Sequence, residues 1–91
     1  MTTKRIHIFV SGRVQGVFFR LFVRKHAKQL NIKGWVKNLS NGKVEIIADG
    51  EELNLNQLII LCKEGPRFAK VDYIEVQKEN STGKFDDFKI T

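Results

Sequence analysis

A short segment near the N-terminus combines glycines and arginines in a way that suits an anion. It reads SGRVQGVFFR over residues 11–20 and joins an alternating apolar run to a helical pattern. Glycine adopts positive φ without steric cost, so Gly12 and Gly16 let the backbone curl. A curled loop entering a helix directs several N–H groups at one point, and the helix N-terminus adds partial positive charge. The segment therefore predicts a phosphate-binding cradle, with the planar donors of Arg20 as a clamp.

A second candidate for chemistry is Asn38, which ends a predicted strand. Its amide can accept and donate hydrogen bonds without titrating, so it can orient a water molecule. Residues 1–44 contain no Asp or Glu, and Ser11 has no evident base nearby. Plainer alternatives remain open from the residues alone: Arg20 can pair with a carboxylate, and Asn38 can be a strand-end residue leading into a turn.

Other kinds of site have little support in the sequence. His7 and His26 are far apart, and no Cys or His cluster has metal-ligand spacing, which argues against a structural or catalytic zinc site. No Walker sequence is present. Cys62, the only cysteine, is predicted to be a small core residue on a helix.

Length and composition indicate one domain over residues 1–91, with 42% apolar residues to form a modest core. No apolar run is long enough to cross a membrane and no signal-peptide pattern precedes the first strand, so we expect a cytoplasmic protein. Residues 1–44 hold ten Lys or Arg, whereas residues 45–91 hold six together with ten Asp or Glu. The basic half favours an anionic ligand.

Apolar periodicity predicts two helices and five strands. Strands are expected over residues 4–11, 32–38, 43–48 and 71–77, with a short last strand within 85–90, and helices over 19–31 and 55–63. Asn54 is the predicted N-cap of the second helix, with Gln57 completing a capping-box-like pair. Asn41-Gly42 predicts a type I′ hairpin turn. Asp72 is expected to share a face with Ile74 and Val76.

This order, β-α-β-β-α-β plus a short C-terminal strand, predicts an α+β fold. It is the ferredoxin-like split βαβ plan, in which two helices cover one face of an antiparallel sheet. Strands one and two then lie on either side of strand three, so Asn38 is expected near the loop that follows strand one. Such folds host many functions, so the function depends on the site.

Two long motifs resemble the signatures of the acylphosphatase family. Residues 12–20 are similar to its first signature, and Gly34-Trp35-Val36-Lys37-Asn38 with residues 41–45 is similar to its second, in the same order and at the same separation. The family commonly has Asp-Gly where this chain has Asn41-Gly42.

The resemblance implies a cofactor-free monomer that hydrolyses acyl phosphates to a carboxylate and inorganic phosphate. It gives phosphate binding to Arg20 and water activation to Asn38, and it implies that Arg13 is not the catalytic arginine. We expect the substrate phosphate to be bound by backbone N–H groups of the cradle and by the Arg20 side chain. The predicted substrate-binding residues are Gln15, Gly16, Val17, Phe18, Phe19 and Arg20.

Two rival functions are weaker. An anion-binding module without turnover does not need a water-orienting amide. Nucleic-acid binding, suggested by the pI of 9.7, lacks a pair of ribonucleoprotein-type aromatic motifs, so no nucleic-acid or membrane partner is expected. Because the cradle contacts the phosphate and not the acyl tail, broad acyl tolerance is predicted.

Overall fold

Residues 3–91 are described by a computed structural model. The elements in chain order are β1 (Thr3–Arg13), α1 (Phe19–Gln29), β2 (Lys33–Asn38), β3 (Val44–Glu51), α2 (Glu52–Glu64), β4 (Lys70–Asn80) and β5 (Phe88–Ile90). Every predicted element is present, and most strands extend beyond their predicted ends. Within these residues, no helix has both the length and the apolar character needed to cross a membrane.

The five strands form one sheet in the order β4-β1-β3-β2-β5. All neighbouring pairs are antiparallel except β2 and β5, which run parallel, so the sheet is mixed only at this edge. As predicted, β1 and β2 flank β3. In the register of the sheet, Val44 of β3 lies opposite both Val10 of β1 and Asn38 of β2. The end of β2 is therefore two strands away from the end of β1, where the loop begins.

Both helices cover the same face of this sheet. Alternate residues of β1 and β3, including Ile8 and Ile46, are fully buried against apolar residues of the helices. The helical contribution comes from Phe19, Val23, Ala27, Leu55, Leu58 and Cys62. Burial of this apolar surface is the main source of the fold's stability. The α+β ferredoxin-like prediction is confirmed.

The predicted type I′ turn after β2 is wrong. Only Gly42 has positive φ, at 91°, whereas Asn41 does not. The Gly42 N–H donates to Leu39 O at 3.2 Å, and the Leu39 N–H donates to Lys43 O at 2.8 Å. These bonds define a three-residue loop, a type I turn followed by a glycine bulge, which needs left-handed backbone at one position and not at two.

The predicted cap of α2 is also wrong. The helix follows β3 directly, with Glu51 at the N-cap position and no side-chain capping bond, so the chain is already helical at Asn54. Glu52 in the first turn lies near the positive end of the helix dipole. Gly65 ends α2 as predicted.

Asp72 does not lie on the core face of β4. A β-bulge shifts the register, because Ser11 pairs with Tyr73 whereas Gly12 pairs with Val71. The extra residue of the bulged strand, Asp72, is exposed, and Val71 packs against the core in its place. Period-two alternation cannot reveal a bulge, because the bulge is the point at which the alternation fails.

Candidate functional site

The loop between β1 and α1 forms one wall of an open cavity of about 400 Å³. Its lining residues come from three elements, α1, β2 and β5, and from the loop itself: Val14, Gly16, Phe18, Phe19, Arg20, Leu21, Asn38 and Ile90. Arg20 and Asn38, which are 18 positions apart in the sequence, therefore face the same space. No Asp or Glu is among these lining residues.

Backbone donors of the loop are free. None of the N–H groups of residues 15–20 donates a hydrogen bond to an acceptor within residues 3–91. Gly16 has φ 73°, and a Cβ built on it would meet no atom within 4 Å, so its α-carbon faces open space. The first turn of α1 has no acidic residue and no side-chain cap. Free N–H groups at an uncapped helix N-terminus are a physical basis for anion binding.

The Arg20 side chain is half-buried on the second residue of α1. No carboxylate of the described chain lies within ion-pair distance of its guanidinium, and the group makes no side-chain hydrogen bond there. The alternative that Arg20 pairs with a carboxylate finds no support. A guanidinium without a partner, beside free N–H groups, is available to an anionic ligand.

Asn38 is the last residue of β2 and lies on the face that the helices cover, in line with Gly34 and Val36. Its Oδ1 atom is buried and has no hydrogen-bond partner among the described atoms. A buried acceptor without a partner costs about 1–3 kcal/mol. A bound molecule that donates a hydrogen bond to this amide would remove that cost.

Gln15 connects the loop to the hairpin that carries Asn38. Its Nε2 donates to Leu39 O at 2.7 Å and to Lys43 O at 2.9 Å, the two carbonyls that close the hairpin. The side chain therefore fixes the distance between the cradle and the residue that follows Asn38. The sequence predicts only a backbone role for Gln15, because it does not show which groups a loop glutamine side chain will bond to.

Five of the predicted site residues line the cavity and two do not. Gly16, Phe18, Phe19, Arg20 and Asn38 do, although the Phe19 side chain is buried in the core. The side chain of Val17 packs against the core, and that of Gln15 is bonded to the hairpin. Three lining residues were not predicted, Val14, Leu21 and Ile90. Of these three, Leu21 could have been predicted, because it follows Arg20 at an exposed position of α1.

The two histidines and the cysteine occupy structural positions. His7 Nε2 lies 2.6 Å from Glu45 Oε2, on the sheet face opposite the helices. His26 packs edge-on against Phe22, with ring centroids 4.5 Å apart. Cys62 is fully buried, and burial raises the pKa of its thiol to about 12. A neutral buried thiol is a poor nucleophile, which agrees with the predicted core role.

Comparison with known proteins matches residues 6–90 to the family model described as Acylphosphatase. The chain is 48% identical over 87 residues to the acylphosphatase of Syntrophus aciditrophicus, covering 96% of this chain and 91% of that protein. It is 46% identical over 91 residues to the acylphosphatase of Marinobacter nauticus, covering 100% and 99%. The crystal structure of acylphosphatase from Bacillus subtilis superposes with a TM-score of 0.94 at 41% identity, covering 97% and 98%. The chain therefore belongs to the acylphosphatase family of enzymes.

Proposed function

We propose that this enzyme hydrolyses the carboxyl–phosphate bond of acyl phosphates, with Arg20 and the N–H groups of residues 15–20 binding the phosphate and Asn38 orienting the attacking water. One observation carries the proposal. A guanidinium without a partner and an amide oxygen without a partner line one cavity, beside a row of N–H groups that have no acceptor within residues 3–91.

The reaction needs little from the protein beyond this set. The oxygen of water forms a bond to phosphorus while the bond between phosphorus and the acyl oxygen breaks, and that electron pair leaves with the carboxylate. A carboxylate departs without a proton, so no general acid is required. Charge in the transition state is spread over the equatorial phosphoryl oxygens, where Arg20 and the N–H groups donate.

The water loses its proton to the substrate phosphate in this scheme. No carboxylate or histidine lines the cavity, so the substrate is the nearest base. Asn38 aligns the water by accepting one of its hydrogen bonds, which is a contribution of positioning. Because no carboxylate or histidine lines the cavity, enzyme-side pH dependence should be shallow between about pH 5 and 8.

Assembly and location are part of the same proposal. The protein is proposed to act as a monomer with a single domain over residues 1–91, because Arg20, Asn38 and the loop form a site to which a second copy need contribute no residue. A lone, buried cysteine fits the reducing cytoplasm, where disulfides are rare. Sedimentation at micromolar concentration should give one species of about 10.5 kDa.

The experiment is hydrolysis of benzoyl phosphate with excess chelator present. Arg20→Ala and Asn38→Ala should each lower kcat/KM on the order of 100- to 1000-fold. Arg13→Ala, at an exposed arginine of the same loop region, and Asn56→Ala, at an exposed asparagine of α2, are matched controls that should retain wild-type rates. A folded wild type that binds phosphate without turnover would replace the proposal with an anion-binding module. Loss of turnover in chelator would show that a metal is needed.

A further inference from the structure

Phe18 adopts a backbone conformation that bulky residues avoid. It has φ 65° and ψ 22°, in the left-handed region, and Asn31 is the only other non-glycine residue with positive φ among residues 3–91. Phe18 is 68% exposed, so core packing does not account for this conformation. Such outliers cluster at functional sites, where the surrounding structure maintains the strain.

The Phe18 side chain belongs to an apolar wall of the candidate site. Phe18, Leu21 and Ile90, hereafter the acyl wall, line the cavity together with Arg20 and Asn38. Leu21 is 48% exposed, so two large apolar side chains face solvent beside the polar groups. The cavity is an open space of about 400 Å³. This is more than a phosphoryl group fills.

We propose that the acyl wall binds the acyl group of the substrate and gives the enzyme a preference for apolar acyl groups, aromatic or long aliphatic, over small ones such as acetyl. The inference rests on the proposed function and deepens it. The acyl group is joined to the phosphoryl group through one oxygen, so a substrate held by Arg20 must place its acyl group within the same cavity. An apolar acyl group gains by removing the exposed ring and the Leu21 side chain from water. The broad acyl tolerance predicted from the sequence is therefore narrowed.

A substitution at Phe18 can remove the ring without adding backbone strain. Asparagine visits the left-handed region more readily than other side chains, so Phe18→Asn preserves the N–H group and relieves the conformation. The matched control is Leu53→Asn. Leu53 is an apolar residue of α2 with 82% exposure, and it follows the end of β3 that is distant from Asn38.

The test compares benzoyl phosphate with acetyl phosphate as substrates. The ratio of their kcat/KM values should fall about tenfold in Phe18→Asn and should be retained in Leu53→Asn, since one lost apolar contact in a pocket has an effect of this order. Any damage to phosphate binding lowers kcat/KM for both substrates alike. The intrinsic reactivity of each substrate is the same whichever variant is used. Both effects therefore cancel when the ratios are compared.

A non-hydrolysed pair of probes gives an independent readout. Inhibition by phenylphosphonate should weaken about tenfold relative to inhibition by inorganic phosphate in Phe18→Asn. An unchanged ratio in both assays, with turnover intact, would overturn the acyl wall and leave the proposed function standing. Absence of turnover of both acyl phosphates by the folded wild type would overturn the proposed function and this inference with it.

Discussion

Each end of the sheet carries an arginine, and the two differ in their partners within the described chain: Arg5 is paired with a carboxylate and Arg20 is not. At the end distant from Asn38, Arg5 Nε donates to Asp49 Oδ1 at 2.7 Å and Arg5 Nη2 donates to Asp49 Oδ2 at 3.0 Å. Thr82 Oγ1 accepts a further bond from Arg5, and Ser81 Oγ donates to Asp49. Arg20, at the other end, has no such partner in the described chain.

This difference separates polar groups that are bonded within the fold from polar groups that are available to a ligand. The hydrogen bond and the charge of Asp49 raise the pKa of Arg5, so its guanidinium is locked in the charged form. A buried ion pair is tolerated when further hydrogen bonds support it, and Thr82 and Ser81 supply two such bonds here. Arg20 is half-buried with its donors unused, which favours binding over stability. Four predictions test this contrast.

The largest expected effect is on stability at the Arg5 end. Arg5→Leu leaves the buried Asp49 carboxylate without its main partner, so the free energy of unfolding should fall by about 3–5 kcal/mol. Urea unfolding measures it, with Arg13→Leu at an exposed arginine of β1 as the control, which should change by less than about 0.5 kcal/mol. The activity per folded molecule should be retained. If Arg5→Leu unfolds like the wild type, this network does not stabilise the fold.

Arg20→Lys should give the converse result. Lysine keeps the positive charge but loses the planar fork of donors, so kcat/KM should fall about 100-fold, equivalent to about 2.7 kcal/mol of transition-state stabilisation. The free energy of unfolding should change by less than about 0.5 kcal/mol, because no partner within the fold is lost. Steady-state kinetics and urea unfolding on the same preparations check both halves. A lysine variant with full activity would mean that charge alone suffices.

A smaller effect is expected at Gln15, whose side chain is bonded within the fold and whose backbone belongs to the proposed phosphate-binding loop. Gln15→Met keeps the length of the side chain and removes both hydrogen bonds to the hairpin, so Asn38 loses its fixed distance from the cradle. We expect kcat to fall about tenfold, since small misplacements of a positioning group are costly. Inhibition by inorganic phosphate should stay the same, because the phosphate donors are untouched.

The control for Gln15 is Gln57→Met, at an exposed position of α2. A purely structural role for Gln15 would lower the unfolding midpoint while leaving kcat at the wild-type value, and that result would contradict the prediction.

The smallest expected effect comes from Cys62, whose buried thiol makes the free energy of unfolding depend on pH. Its pKa is raised by burial from 9.0 to about 12, so between these values the unfolded chain loses the thiol proton before the folded chain does. The contribution of this thiol to the free energy of unfolding is therefore fully present below pH 9 and declines as the pH rises towards 12. The loss should be about 1 kcal/mol at pH 10. Urea unfolding at pH 8 and pH 10 measures it, and Cys62→Ala should show a correspondingly smaller decline.

Sequence patterns predicted the order of elements and the core faces because periodic burial leaves periodic residues. Ile6, Ile8 and Val10 alternate, and Phe19, Val23 and Ala27 repeat at helical spacing. The errors arose where local chemistry depends on the exact register. The hairpin loop has one residue more than Asn41-Gly42 suggested, and the bulge opposite Gly12 displaces Asp72 from the core face.

The site was predictable in part for a related reason. Arg20 and Asn38 were predicted because their motifs resemble a family, and the predicted strand order explained how both could line one cavity. The bonds from Gln15 to Leu39 and Lys43, and the apolar wall formed with Ile90, depend on contacts between distant segments. Such contacts have no local signature in a single sequence.

The interior position of β1, between β4 and β3, also has a kinetic consequence. Its partner β4 is distant in the chain, with Lys4 opposite Asn80, so the middle of the sheet cannot be completed until these remote segments meet. Folding slows as contacts become less local, because loop-closure entropy is lost before the contacts form. We expect refolding on the millisecond-to-second scale. Recovery of activity should accompany the last step, since the cavity draws residues from β2 and β5 as well as from the loop after β1.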